Sequence, residues 1–245
     1  MSKTRLDQQL VSLSLFESRA RAAAAIKAGL VRVNGVTATK AAMTVAADDT
    51  ITAEAAHGYV SRGGLKLAAG LTRFDYRVAN GVFADIGAST GGFTDVLLQC
   101  DAAFVYAVDV GREQLHESLR DHPSVADMAG VNARDLTAAD FDRPLSGLVC
   151  DVSFISQEKA LASLLPVMPA HSWAIALIKP QFELDKAALG KNGVVADATL
   201  RQQVCTRISS WWQGQGWQVD GVIESPITGP QGNVEYLIGA RLGAR

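Results

Sequence analysis

Long apolar runs are missing from this 245-residue chain. Stretches such as Trp173 to Ile178 fall far short of the ~20 residues that cross a bilayer, and the start carries Lys3, Arg5 and Asp7 in place of an apolar export signal. No membrane span or secretory leader is expected, and the cytoplasm is the expected setting. Cysteine is scarce: Cys100, Cys150 and Cys205 are the three. They lie too far apart for Cys-x-x-Cys or Cys/His ligand spacing, so they read as reduced, buried thiols, with neither a disulfide framework nor a metal site expected. The dinucleotide fingerprint Gly-x-Gly-x-x-Gly is also absent, which leaves cofactors without a pyrophosphate.

The chain is 48% apolar, ample for a packed core in one large domain or in a small and a medium one. Its net charge of -2 hides an asymmetry. Residues 1–77 hold 11 Lys+Arg against 6 Asp+Glu, leaving 12 against 19 for residues 78–245. A basic front on an acidic body points to a polyanion at the front.

Residues 1–54 read as a separate module. Leu6, Leu10, Leu13 and Leu15 sit near helical spacing, and Ser18 can cap a second helix from Arg19 to Ala28 that Gly29 closes. Leu30 to Val33 and Val36 to Thr39 flank Asn34-Gly35, the strongest short hairpin signal. A further strand runs from about Thr50 to Ala53. Two helices and a hairpin carrying Arg19, Arg21, Lys27 and Arg32 resemble the αL RNA-binding motif shared by a small-subunit ribosomal protein and many pseudouridine synthases. The resemblance rests on Arg5-Leu6-Asp7, Ser18-Arg19, Ala28-Gly29 and Val33-Asn34-Gly35, and it departs at Ala22 to Ala25, where less charge is carried. It implies RNA contact through Arg5, Arg19, Arg21, Lys27 and Arg32.

Residues 55–58 form a small joint in which His57 reads as a solvated linker residue. From residue 59 to 245 strands and helices alternate: strands near 82–86, 104–108, 125–129, 147–151, 173–178, 217–224 and 234–241, and helices near 91–99, 112–119, 156–165 and 200–214. This predicts an α/β, doubly wound, mostly parallel Rossmann-like sheet. Only the turn Pro226 to Gly232 separates the last two strands, so that pair is expected to be antiparallel.

Val82-Phe83-Ala84 leads into Asp85-Ile86-Gly87-Ala88-Ser89-Thr90-Gly91-Gly92-Phe93, and the next apolar run, Phe104 to Val108, ends in Asp109. Glycines let a backbone turn sharply near a ligand, the following helix presents free N–H groups, and a carboxylate one strand away can accept both ribose hydroxyls. The pattern suggests an adenosine-containing cofactor, of which S-adenosylmethionine is the commonest lacking a pyrophosphate.

Ligands of such sheets lie across the carboxyl ends of the strands. Asp151 and Lys179 follow strand ends, Glu235 stands in Gly-Asn-Val-Glu-Tyr, and Lys66 follows the double glycine of Ser61-Arg62-Gly63-Gly64. Two lysines and two acids can therefore converge beside a cofactor methyl. Methyl transfer is an in-line displacement that needs mostly alignment, but a ribose hydroxyl must shed its proton. A lysine accepts a proton only in its neutral form, which burial and a second ammonium favour. Lys179 is the candidate base, Lys66 its neighbour and ribose holder, Asp151 the group that orients Lys179, and Glu235 the orienter of Lys66 or of the substrate hydroxyl.

These segments, with Ala107 to Gly111, Asn132-Ala133-Arg134-Asp135, Asp151 to Ser156, Lys179 to Glu183 and Ser225 to Glu235, resemble the TlyA family over essentially the whole chain. That family carries both the hemolysin A name and that of 16S/23S ribosomal RNA cytidine-2'-O-methyltransferases, with a catalytic half similar to FtsJ/RrmJ. The resemblance implies that Lys66, Asp151, Lys179 and Glu235 are the catalytic tetrad. It also implies that Asp85, Gly87, Ser89, Thr90, Gly91, Gly92, Phe93, Asp109 and Asp135 surround S-adenosylmethionine, Asp135 near the adenine, and that Arg62 joins the RNA-binding set. Its implied partner is ribosomal RNA or a ribosomal subunit. Arg112-Glu113 departs from the family's Tyr-Gly, and the short tail after the last strand goes with 23S RNA alone. A membrane-active hemolysin finds no support, for lack of a cationic amphipathic helix with an aromatic face. The intact tetrad argues against a noncatalytic assembly factor, and the basic module against a small-molecule methyltransferase. No pattern here speaks to oligomeric state.

Overall fold

The computed structural model describes residues 4–13, 15–16, 18–46, 48–53, 58–185 and 188–244. The expected joint, His57 included, lies outside the described residues except for Gly58, as does Lys3. The chain divides into two compact units, Met1–Gly58 and Tyr59–Arg245.

In the first unit β1 (Thr4–Arg5) precedes α1 (Leu6–Ser12) and α2 (Arg19–Lys27), followed by β2 (Val31–Val33), β3 (Val36–Thr37), β4 (Thr44–Val45) and β5 (Ile51–Ala53). The Ser18 hydroxyl accepts the Arg21 N–H at the start of α2, and Gly29, at φ +76°, ends it. Val33 pairs with Val36 across Asn34 and Gly35, whose φ of 51° and 78° suit a two-residue hairpin turn. Ala22 and Ala25 are buried with Leu6, Leu10, Ile26, Val31 and Val33. The alanines that thin the charge of α2 thus supply the flat face on which it packs. Leu13 and Leu15 lie past the end of α1 and are exposed.

The second unit opens with α3 (Gly63–Phe74) and continues through β6 (Val82–Ile86), α4 (Gly92–Gln99), β7 (Phe104–Asp109), α5 (Glu117–Arg120), β8 (Val125–Ala129), β9 (Gly147–Cys150), α6 (Gln157–Leu161), β10 (Trp173–Ile178), α7 (Pro180–Glu183), α8 (Ala198–Gly214), β11 (Trp217–Glu224) and β12 (Tyr236–Leu242). Seven strands form one sheet in the order β11-β12-β10-β9-β6-β7-β8, with β12 antiparallel to both neighbours and the others parallel. Alternate residues feed two cores. Ala84, Ile86, Leu148, Cys150, Ala174, Ala176 and Ile178 pack with Val204, Ile208 and Trp212 of α8. Phe83, Val149, Ile175 and Leu177 pack with Leu67 of α3 and with Phe93, Val96 and Leu97 of α4. Helices on both sides are why β10 reads as an unbroken apolar run.

Two expected helices are shortened. Residues 112–116 are not helical: Asp109 Oδ1 accepts the Gly111 N–H at 2.7 Å and Glu113 stands at φ +56°, so only the turn Glu117–Arg120 remains. The helix expected over 156–165 stops at Leu161 and gives way to a 3-10 turn, Leu165–Val167, containing Pro166, which lacks the N–H a continuing helix needs. In contrast, α3 forms where Gly63-Gly64 signals no helix. A Cβ on Gly64 would meet the Tyr59 ring at 2.6 Å, so close packing selects the glycine there.

Candidate active site

The glycine turn is held from below by Asp85, fully buried at the end of β6. Its Oδ2 accepts both the Thr94 N–H (2.9 Å) and the Thr94 hydroxyl (2.7 Å), pinning the first turn of α4. Oδ1 is buried without a hydrogen-bond partner. Burial pushes the Asp85 carboxyl up to about 7, against the pull of the Thr94 bonds. Gly91 takes φ +90°, where a Cβ would strike Leu119 at 2.4 Å. Gly87, at φ +83°, lies so close to the Asp151 backbone that a Cβ would stand 3.0 Å from its carbonyl. That contact draws the ends of β6 and β9 together.

A cleft of about 470 Å3 opens along these strand ends, within the size range of small-molecule sites. Gly87, Ser89, Asp109, Val131, Asn132, Arg134, Asp151, Ser153 and Phe154 are among its walls. Asp109 accepts the Ser89 N–H through Oδ2 (2.8 Å) and the Gly111 N–H through Oδ1 (2.7 Å). Each oxygen keeps a lone pair for a ligand hydroxyl. The site thus fits a nucleoside: a carboxylate for its diol, backbone that approaches closely, and an apolar wall at Val131 and Ala133.

Of the nine residues expected around a cofactor, Gly87, Ser89 and Asp109 line this cleft. Asp85, Gly91, Gly92 and Phe93 are buried and shape the turn from within. Thr90 and Asp135 are exposed and lie outside the cleft walls; Asn132, Ala133 and Arg134 take the place expected of Asp135, because the 3-10 turn Ala133–Asp135 directs the cleft-side wall through its first residues.

The four expected catalytic residues meet behind the cleft. Lys179 Nζ lies 2.5 Å from Asp151 Oδ1, and Lys66 Nζ lies 2.7 Å from Glu235 Oε2 and 3.7 Å from Asp151 Oδ2. Lys66, Lys179 and Glu235 are all less than a tenth exposed, and Asp151 alone of the four borders the cleft. Two cations facing two anions satisfy the requirement that buried charge be paired. Each comes from a different element: α3, the ends of β9 and β10, and the start of β12.

Three residues escaped sequence reasoning. Gln181 Nε2 donates to Glu235 Oε1 at 3.1 Å, extending the network. Ser153 Oγ accepts from Lys179 Nζ at 2.9 Å. Phe154 is 90% exposed at φ +65°, its ring 4.9 Å from that of Phe182. All three lie in the segments Asp151 to Ser156 and Lys179 to Glu183, whose strand-end position was the only signal. An exposed aromatic side chain in left-handed backbone is costly, and such strain collects at functional sites.

In the first unit, Arg5 and Arg19 converge on Asp7, which is 4% exposed: Arg5 Nε is 2.9 Å from Oδ1 and Arg19 Nη2 is 2.9 Å from Oδ2. The Arg5 hydrogen bonds, reinforced by Arg19, hold the Asp7 carboxyl well below the usual carboxylate range. Arg32 bends back to the Gly35 carbonyl at 3.3 Å, Lys27 is exposed in the last turn of α2, and Arg21 is partly buried. Arg62, exposed, stands at the residue before α3 in the second unit, its side chain making no capping bond. Among the described residues no helix is long and apolar enough to cross a membrane, and no group of His, Cys, Asp and Glu is placed to hold a metal.

A doubly wound sheet with an antiparallel β12 and a nucleoside-sized cleft at its strand ends is the architecture of a Rossmann-like methyltransferase. Residues 59–242 match the FtsJ-like methyltransferase family, and residues 4–51 match the S4 domain. The 16S/23S rRNA (cytidine-2'-O)-methyltransferase TlyA of Mycobacterium tuberculosis is 41% identical over 241 residues, 98% of this chain and 90% of that one. Hemolysin A of Brachyspira hyodysenteriae is 39% identical over 234 residues, covering 95% and 98%. A solved structure of a hemolysin-named protein from Streptococcus thermophilus superposes with a TM-score of 0.77 at 37% identity, covering 99% and 90%. The chain belongs to the TlyA family of FtsJ-like methyltransferases.

Proposed function

We propose that the protein transfers the methyl group of S-adenosylmethionine to the 2'-hydroxyl of a cytidine in ribosomal RNA, in the cytoplasm where that RNA is assembled. The observation that carries this reading is the paired Lys66–Glu235 and Lys179–Asp151 network opening onto the cleft through Asp151. S-adenosylmethionine, when bound, supplies a methyl on a positively charged sulfur. Asp109 holds the ribose of that cofactor, while Gly87 and Ser89 let it approach the strand ends. Asp151 and Glu235 fix the two lysines. Lys179 takes the proton that the ribose hydroxyl loses, and Lys66 positions that hydroxyl beside it. The exposed ring of Phe154 offers a stacking face for a base drawn out of its helix.

The S4 module, with the paired Arg5 and Arg19, engages the phosphate backbone. The tetrad favours this reading over a noncatalytic binding factor, since buried paired charge costs desolvation that mere RNA contact does not require. The direct test incubates the protein and labelled S-adenosylmethionine with ribosomes, separate subunits and naked ribosomal RNA, then maps 2'-O-methylation by primer extension. One modified cytidine in one of these substrates is the expected result. Absence of methylation on all of them despite measured cofactor binding rejects the enzyme.

A further inference from the structure

Lys179 is 6% exposed and is not part of the cleft wall, whereas Ser153 is exposed and is. The Lys179 Nζ donates to the Asp151 carbonyl at 3.4 Å and to Ser153 Oγ at 2.9 Å, and stands 2.5 Å from Asp151 Oδ1 as an ion pair without hydrogen-bond geometry. As an ammonium this group has protons to donate and no lone pair to offer. A neutral amine has two protons and one lone pair. At 2.9 Å that lone pair can accept from Ser153, whose hydroxyl then turns from acceptor to donor with no heavy atom moving.

We infer that Ser153 is a catalytic relay through which the target hydroxyl reaches Lys179. The inference rests on the methyl-transfer reading given above. As the ribose oxygen gains the methyl, the carbon–sulfur bond of the donor breaks and the sulfonium leaves as a neutral thioether. The ribose O–H proton passes to Ser153 Oγ, and the Ser153 proton passes to Lys179 Nζ, which ends as an ammonium. Atoms and charge balance: the positive charge that leaves the sulfur appears on the lysine.

The test compares full-length Ser153→Ala, Ser153→Gly and Ser153→Thr with the unaltered protein on the methylated RNA. Alanine removes the hydroxyl and keeps only the β-carbon, and kcat should fall by about 100-fold. Glycine also lacks the hydroxyl and should fall alike; threonine restores a hydroxyl and should recover at least about tenfold of that loss. Calorimetric affinities for S-adenosylmethionine and for the RNA should not change in any variant. Rates in mixtures of light and heavy water should bend as two moving protons require in the unaltered protein and in Ser153→Thr, and become linear in Ser153→Ala. An alanine rate within about twofold of the original, threonine no better than alanine, or cofactor affinity falling in step with the rate would overturn the relay. An unaltered protein that methylates no RNA would instead reject the methyl-transfer reading, and the relay with it.

Discussion

Around Asp7 one buried carboxylate holds two guanidiniums that stay about half exposed, at 44% and 54% of their side-chain surface. Around Asp151 and Glu235 two carboxylates hold two ammoniums that stay under 10% exposed. The first cluster keeps a surplus positive charge facing water, where it can replace counterions on a polyanion. The second is balanced and dry, and serves geometry: it fixes where nitrogen atoms stand in relation to the cleft. One kind of interaction, the acid–base pair, thus differs in what it can serve according to its stoichiometry and burial.

The comparison is broken most severely by removing the nitrogen proposed to take the proton. Lys179→Ala is expected to lower methyl transfer by about 100- to 10,000-fold while calorimetric cofactor affinity stays near its original value; surviving activity would remove Lys179 from the role of base. Lys66→Met probes the dry network as structure. It leaves Glu235, 1% exposed, without its cation, and should cost about 3–5 kcal/mol in urea denaturation. A loss below about 1 kcal/mol would show that the pair is solvated after all.

The half-exposed cluster should respond in the opposite sense. Arg19→Ala is expected to leave the melting temperature near that of the unaltered protein, weaken RNA binding and lower the slope of log affinity against log salt by about one. An unchanged slope would exclude Arg19 from phosphate contact. The smallest effect concerns the glycine turn. The folded-state carboxyl of Asp85 stands at about 7, above its ordinary value of 3.8, so its contribution to stability is full below about 4 and is lost as pH rises toward and through 7. Asp85→Asn keeps an amide oxygen for the Thr94 donors and carries no charge. Its melting temperature relative to the unaltered protein should therefore be higher at pH 8 than at pH 4, and a difference independent of pH would remove Asp85 as the source.

The strands and the strand-end acids were legible because a strand buried on both faces writes itself as a short apolar run, as Trp173 to Ile178 does. The tetrad was legible as four residue positions, two of them past strand ends. Helix α3 was not, because Gly63-Gly64 opposes helix locally while packing of Gly64 against Tyr59 and of Leu67 into the core demands it. Ser153, Phe154 and Gln181 were hidden for a related reason. Serine, phenylalanine and glutamine are common anywhere, and only the approach of the β9 and β10 ends gives Ser153 a lysine, and only the start of β12 gives Gln181 a carboxylate.

By itself, then, the sequence determined the apolar and polar periodicity, the turn glycines and the residue types able to take a proton or hold a diol, since these follow from local backbone chemistry and side-chain composition. Which of those residues face the cleft was a decision of the tertiary structure. Asp85 and Asp109 both end neighbouring parallel strands, yet Asp85 is sealed beneath α4 and Asp109 opens onto the cleft. Likewise Lys66 and Glu235, 169 residues apart, become a 2.7 Å pair only when α3 and β12 pack on the same sheet. Long-range packing sets exposure and partnership, and no local pattern encodes either.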